Sequence, residues 1–225
     1  MVTTADAKGA AVDADLPAEA AFALARNDRY VQEFVEALHL CPYAKRCRET
    51  GKLHRRVLLD PQGALAAARE IEALPEDSVE VALLIFPRAA VGSVEAARAF
   101  EALNLALREG LQAVHEGAPP FYNVAFHPDL PRDLSDAHRA VAFIRRSPDP
   151  TIQLVRASVL RAVRGTNTGG SQYVDSSKLT LEQLLAVHSP LGLSDAIAEA
   201  NLATLRRENP DRVEELLRSL RPQGA

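Results

Sequence analysis

The chain has 225 residues, 47% hydrophobic and 25% charged, which is the balance of an ordinary globular protein with room for one generous domain. Its net charge of -4 argues against a general electrostatic grip on nucleic acid, and no run of 18 apolar residues is present to span a bilayer. Two cysteines are too few for a disulfide framework, and with no Trp, four Tyr and seven Phe the core must come mostly from Leu, Val, Ile and Ala.

The stretch Met1 to Asp15 carries Asp6, Asp13 and Asp15 where a secretory signal would have a basic start and a long apolar run. A cytoplasmic location is therefore expected, with neither nucleic acid nor membrane as partner. Residues 1–16, rich in Ala, Asp, Thr and Gly, read as a disordered lead-in. Pro17 then opens a helical pattern whose apolar positions are Phe22, Leu24, Tyr30, Val31, Phe34, Val35 and Leu38. Cys41-Pro42 interrupts it, and a short helix is expected over 42–50, ending near Gly51.

From there the pattern alternates. Arg55 to Asp60 reads as a strand, and Pro61 begins an Ala-rich helix that runs to about Leu74. Val79 to Phe86 is a second strand, apolar enough to be covered on both faces. Ser93 is an N-cap for a long amphipathic helix, Val94 to Val114, and Phe121 to Phe126 is a third strand that delivers His127 at its end. Residues 128–150, with four prolines, read as loop. Thr151 to Arg164 reads as helix, with Ile152, Val155, Val159 and Leu160 on one side.

Strand, helix, strand, helix, strand implies an α/β fold. The expectation is a two-layer or three-layer sandwich around a small, partly parallel sheet of at least three strands, with additional C-terminal helices. The domain plan is a core over 17–164, a flexible linker over 165–177, and a helical extension over 178–225 with patterns at about 179–188, 194–207 and 210–219.

Three local words add a resemblance. Leu38-His39-Leu40-Cys41-Pro42-Tyr43-Ala44-Lys45, then Phe126-His127-Pro128-Asp129, then Arg146-Ser147-Pro148-Asp149-Pro150 with Leu154-Val155-Arg156 are similar, in that order, to a bacterial family, domain of unknown function 1415. They frame roughly residues 20–163. Three residues depart from the family's words: Arg145 stands where the family has Asn, Asp149 where it has Tyr, and Gln153 where it has His. The family name supplies no reaction, so the resemblance implies a site map rather than a chemistry.

Cys41 precedes a helix, where unpaired backbone N–H groups and the helix dipole favour a thiolate, and Lys45 and Arg46 add positive charge one turn on. A buried, inert thiol is the plainer alternative. Cys47 lies about 240° further round an ideal helix and makes neither a redox nor a zinc knuckle with Cys41. His127, at the end of a strand expected to be central, suits acid–base work, with Asp129 orienting its ring; a turn-forming His-Pro-Asp is the alternative. Arg145, Arg146 and Ser147, before a helix expected to start near Pro150 and to be capped by Asp149, suggest an anion cradle.

The leading functional expectation is a small-molecule enzyme acting on an anionic substrate, of transferase, hydrolase or oxidoreductase type. Cys41, His127 and Asp129 are its catalytic candidates, and Arg146, Arg145, Ser147 and Lys45 its substrate contacts. The alternatives are a metal- or haem-binding protein using Cys41 and His127, and a non-catalytic protein that assembles into a homo-oligomer through its C-terminal helices. The sequence names no cofactor.

Overall fold

The computed structural model describes residues 4–5, 17–115, 119–164 and 193–222. The proposed linker over 165–177 and the helical pattern at 179–188 lie outside the described residues, as does all of the lead-in except Thr4–Ala5.

Pro17 stands at the N-cap of α1 (Ala18–Arg29), which runs into a π-helical segment, Tyr30–Glu36. His39, in the left-handed region at φ 52°, then turns the chain into a short α2 (Ala44–Glu49), which begins two residues beyond Pro42. Gly51 ends α2 at φ 72°, the left-handed C-terminal conformation that glycine adopts without cost. The strands are β1 (Thr4–Ala5), β2 (Leu53–Val57), β3 (Val81–Ile85), β4 (Phe121–Phe126) and β5 (Thr151–Arg156). A 3-10 turn, Pro61–Gly63, leads into α3 (Ala64–Glu72). The Ser93 side chain caps α4 (Val94–Gln112) by accepting from the Ala96 N–H at 3.1 Å. The remaining helices are α5 (Ala137–Ile144), α6 (Ala157–Arg164), α7 (Leu193–Arg207) and α8 (Pro210–Ser219).

The sheet order is β1-β2-β3-β5-β4. β2 and β3 are parallel, the unit predicted from the alternation, while β5 runs antiparallel to both of its neighbours. The α/β class and the partly parallel sheet are as expected. Four local readings are corrected. Residues 151–156 form a strand, not the start of a helix; Ile152, Val155 and Val159 fit helical spacing, but Ile152, Leu154 and Arg156 alternate onto one buried face. Because β5 inserts between β3 and β4, the strand before His127 is an edge strand rather than a central one. The loop read over 128–150 contains α5, whose N-cap Asp136 accepts from Arg139 N–H at 2.9 Å. The strand read at Arg55 to Asp60 starts two residues earlier and stops at Val57.

Helices cover both faces, so the sandwich has three layers. On one face α3 and α4 pack Ala67, Ala68, Ile71, Phe100 and Leu107 against Leu84, Ile152, Leu154 and Phe121. Arg156 closes that layer, donating to the carbonyls of Val79, Ile71 and Leu74 (2.8, 3.2 and 2.9 Å) with its guanidinium 5.3 Å from the Phe121 ring centre. On the other face the π-helical segment, α5, α7 and α8 share one core containing Tyr30, Phe34, Phe143, Leu202, Leu205 and Leu217. The apolar stripe of the last helix is thus covered by its own chain.

Candidate functional site

The alternation of β4 decides where His127 goes. Phe121 and Ala125 face the α3/α4 layer, and His127 continues that series, its ring centre 5.7 Å from that of Phe100. Nε2 lies 3.0 Å from the Ala90 carbonyl, and Nδ1 accepts from the Asp129 N–H at 3.3 Å, which assigns the proton to Nε2. Burial lowers the His127 pKa, the charge of Arg221 lowers it further, and the Ala90 carbonyl and Asp129 oppose this. Asp129 accepts from the Gly92 N–H at 2.5 Å and pairs with Arg221 at 3.4 Å. The group ties the loop at 90–92 and the chain end to the 127–129 turn, and Gly92, at φ 95°, adopts a backbone that side chains disfavour.

Cys41 lies on the opposite face of the sheet. There a cavity of about 500 Å³ opens between the sheet and the helices of the second core. Leu83, Gln153 and Val155 form its floor, Tyr30, Val31 and Val35 of the π-helical segment one side, and Val141 and Ile144 of α5 with Ile197 and Ala198 of α7 another. Cys41, Ala44 and Cys47 complete it at the α2 end. His127 and Asp129 do not line it, so the sheet separates the two halves of the expected thiol–histidine site. Among the described residues, no group of three or more His, Cys, Asp or Glu is placed to hold a metal ion.

Cys41 is half-buried, and burial pushes its thiol pKa up; the backbone N–H groups of Tyr43 and Ala44 pull it down, as a helix start should, but burial prevails. The expected help from two cations is absent because both are engaged elsewhere. Lys45 is exposed beside Glu49 at 4.0 Å, and Arg46 is held by Glu80, which also accepts from Lys52 at 3.0 Å. The Cys47 thiol is pushed up to about 12, first by burial and then by the charge of Glu80. Cys41 also raises it slightly, and both thiols border the cavity. Glu80 itself titrates below its ordinary value: burial acts to raise it, and the bonds from Arg46 and Lys52 outweigh that.

The two arginines have different surroundings. Arg146 donates to both Glu214 oxygens (2.6 and 2.7 Å), lies 5.0 Å from the Phe143 ring centre, and so clamps α8 to α5. Arg145 is exposed and borders the cavity, and its side chain makes no hydrogen bond or ion pair among the described residues; partial desolvation lowers its pKa against the more distant charge of Glu101. Ser147 donates to the Asp149 carbonyl at 2.6 Å, and Asp149 takes both Arg26 nitrogens at 2.9 and 2.7 Å. With a strand after Pro150, Asp149 caps no helix, and the helix end beside these residues is the C-terminus of α5, which has Arg145 as its C-cap.

Four further residues are on the cavity wall: Asn27, which sequence reasoning passed over, Tyr30, read only as an apolar helix position, His138, read as part of a polar loop, and Gln153, noted only as a departure from the family's word. Asn27 is 2% exposed and its Oδ1 is buried without a donor. Reading Thr151-Gln153-Val155 as one face of a strand would have found Gln153; a polar residue within the apolar stripe of α1 was the signal for Asn27.

Fold and site together define a three-layer α/β protein with one face of its sheet close-packed and the other hollow. The chain belongs to the family described as "Protein of unknown function (DUF1415)", whose model matches residues 23–184. No curated protein and no solved structure matches it. No helix among the described residues is long and apolar enough to cross a membrane.

Proposed function

We propose that this protein binds a small organic molecule in the cavity bordered by Cys41, Tyr30, Gln153 and Arg145. The observation that carries the reading is the cavity itself. At about 500 Å³ it falls in the range of small-molecule sites, and it joins mostly apolar walls to a few polar groups, among them Asn27, whose buried Oδ1 has no partner among the described residues. Unpartnered buried polar atoms cost free energy, which a ligand can recover.

A neutral apolar fluorophore, N-phenyl-1-naphthylamine, tests this directly, since the chain has no Trp to interfere. Saturable binding at one site per chain is expected, and Ala44→Trp, which pushes an indole into the cavity, should weaken it by about tenfold (~1.4 kcal/mol) with an unchanged circular dichroism spectrum. Absence of binding, or equal binding by the variant, overturns the reading.

A thiol-dependent enzyme working at the same cavity is the second reading, favoured by the presence of both Cys41 and Cys47 on its wall. It requires Cys41 to be alkylated by iodoacetamide at neutral pH faster than free cysteine, against the direction in which burial moves its pKa.

A further inference from the structure

Resting on that cavity as the binding site, we infer that its ligand is a small apolar carboxylate, held by the Arg145 guanidinium and the Asn27 amide with its hydrocarbon body against Leu83, Val141 and Tyr30.

Two contacts place the binding groups at one end of the cavity. Arg26 of α1 takes Asp149 through both oxygens, and the Tyr30 hydroxyl lies 3.5 Å from the Ile144 carbonyl. Asn27 sits between those two α1 residues, and Arg145 follows Ile144 in the chain. The Asn27 amide and the Arg145 side chain therefore stand where α1 meets the 144–149 segment, and both border the cavity.

The charges on the wall then select the ligand. Glu80 is answered by Arg46 and Lys52, so it asks nothing of a ligand. Asp195 stands in the first turn of α7, where unpaired backbone N–H groups favour a carboxylate. Arg145 offers five N–H donors and no acceptor takes them among the described residues. Its side chain is solvent-accessible where it borders the cavity, and the charge of Glu101 reaches it without contact. A carboxylate fits the planar fork with two parallel hydrogen bonds. Asn27 is 2% exposed, its Oδ1 is buried without a partner among the described residues, and the N–H donors of the same amide remain to face a ligand beside the fork. Away from that corner the walls are Val, Leu, Ile and Tyr, which reward an apolar body by about 0.8 kcal/mol per buried methylene.

Displacement of N-phenyl-1-naphthylamine from the full chain by octanoate, 1-octanol and octylamine tests the inference. Octanoate should compete at least about tenfold better than octanol, and octylamine worst. Arg145→Gln should bring octanoate down to the level of octanol without moving octanol, and Arg145→Lys should restore part of the difference. Octanol or octylamine competing as well as octanoate, or a preference untouched by Arg145→Gln, overturns the carboxylate assignment while leaving the cavity as the binding site. Failure of the fluorophore and all three competitors to bind overturns both.

Discussion

The two faces of the central sheet are built from alternate residues of the same strands, yet one is closed and the other hollow. Leu84 and Leu83 are neighbours in β3. Leu84 is fully buried against α3 and α4, and Leu83 borders the cavity. The closed face is roofed by helices with small contact residues, Ala64, Ala67 and Ala68 of α3, which lie close on the sheet. On the hollow face the roof is shared among the π-helical segment, α5 and α7, whose contacts with one another hold it off the floor. A sheet buried on both sides need not be packed on both sides, and the proposed binding site lies on the side where packing is incomplete.

The largest expected effect separates the two leucines. Leu84→Ala should cost about 3 kcal/mol by urea unfolding, and Leu83→Ala no more than about 1.5 kcal/mol, since its side chain already faces a void. Equal losses would mean that the hollow face closes in solution. Asp149→Asn, which leaves the Arg26 guanidinium without its charge partner, should also cost about 3 kcal/mol by thermal melting, because the carboxylate is 3% exposed. Arg146→Ala should cost about 2 kcal/mol by loosening α8, whereas Arg145→Ala should stay within about 0.5 kcal/mol; a reversed order would reassign the two arginines.

A smaller effect belongs to the closed side. The folded pKa of His127 is depressed below its ordinary 6.5, so the folded protein binds this proton less readily than the unfolded chain does. Its contribution is fully present above pH 6.5 and is lost as pH falls from there through the folded pKa. His127→Gln should flatten the stability profile across that interval, and an unchanged slope would remove the assignment of a neutral, buried ring. The smallest effect concerns rate alone: with its pKa raised, Cys41 should react with iodoacetamide at pH 7 more slowly than free cysteine, and speed up past pH 9.

Much of the fold was legible locally. The start of α1 after Pro17, the Ser93 cap, the end of α2 at Gly51 and the span of β4 each depend on residues within a few positions, and each stands where the sequence put it. Residues 151–156 were not legible, because over six residues an apolar pattern fits a strand and a helix turn alike, and insertion between β3 and β4 settles the choice. Less of the cavity was legible. Cys41, on its wall, was singled out by the family word and its position before a helix, but its electrostatics were misjudged because the partners of Lys45 and Arg46 could not be seen.

The sequence by itself determined the class of the fold, the family words and which residue types carry chemistry, since these follow from composition, short-range geometry and order along the chain. The tertiary structure alone decided which of those residues meet. Insertion of β5 made the strand before His127 an edge strand, and the parity of β4 turned its ring to the α4 side, away from Cys41. Glu214, 68 residues distant, took Arg146 and left Arg145 to the cavity. Side-chain direction on a strand has a period of two, and ion pairs form between residues far apart in the chain, so neither can be read from a short word of sequence.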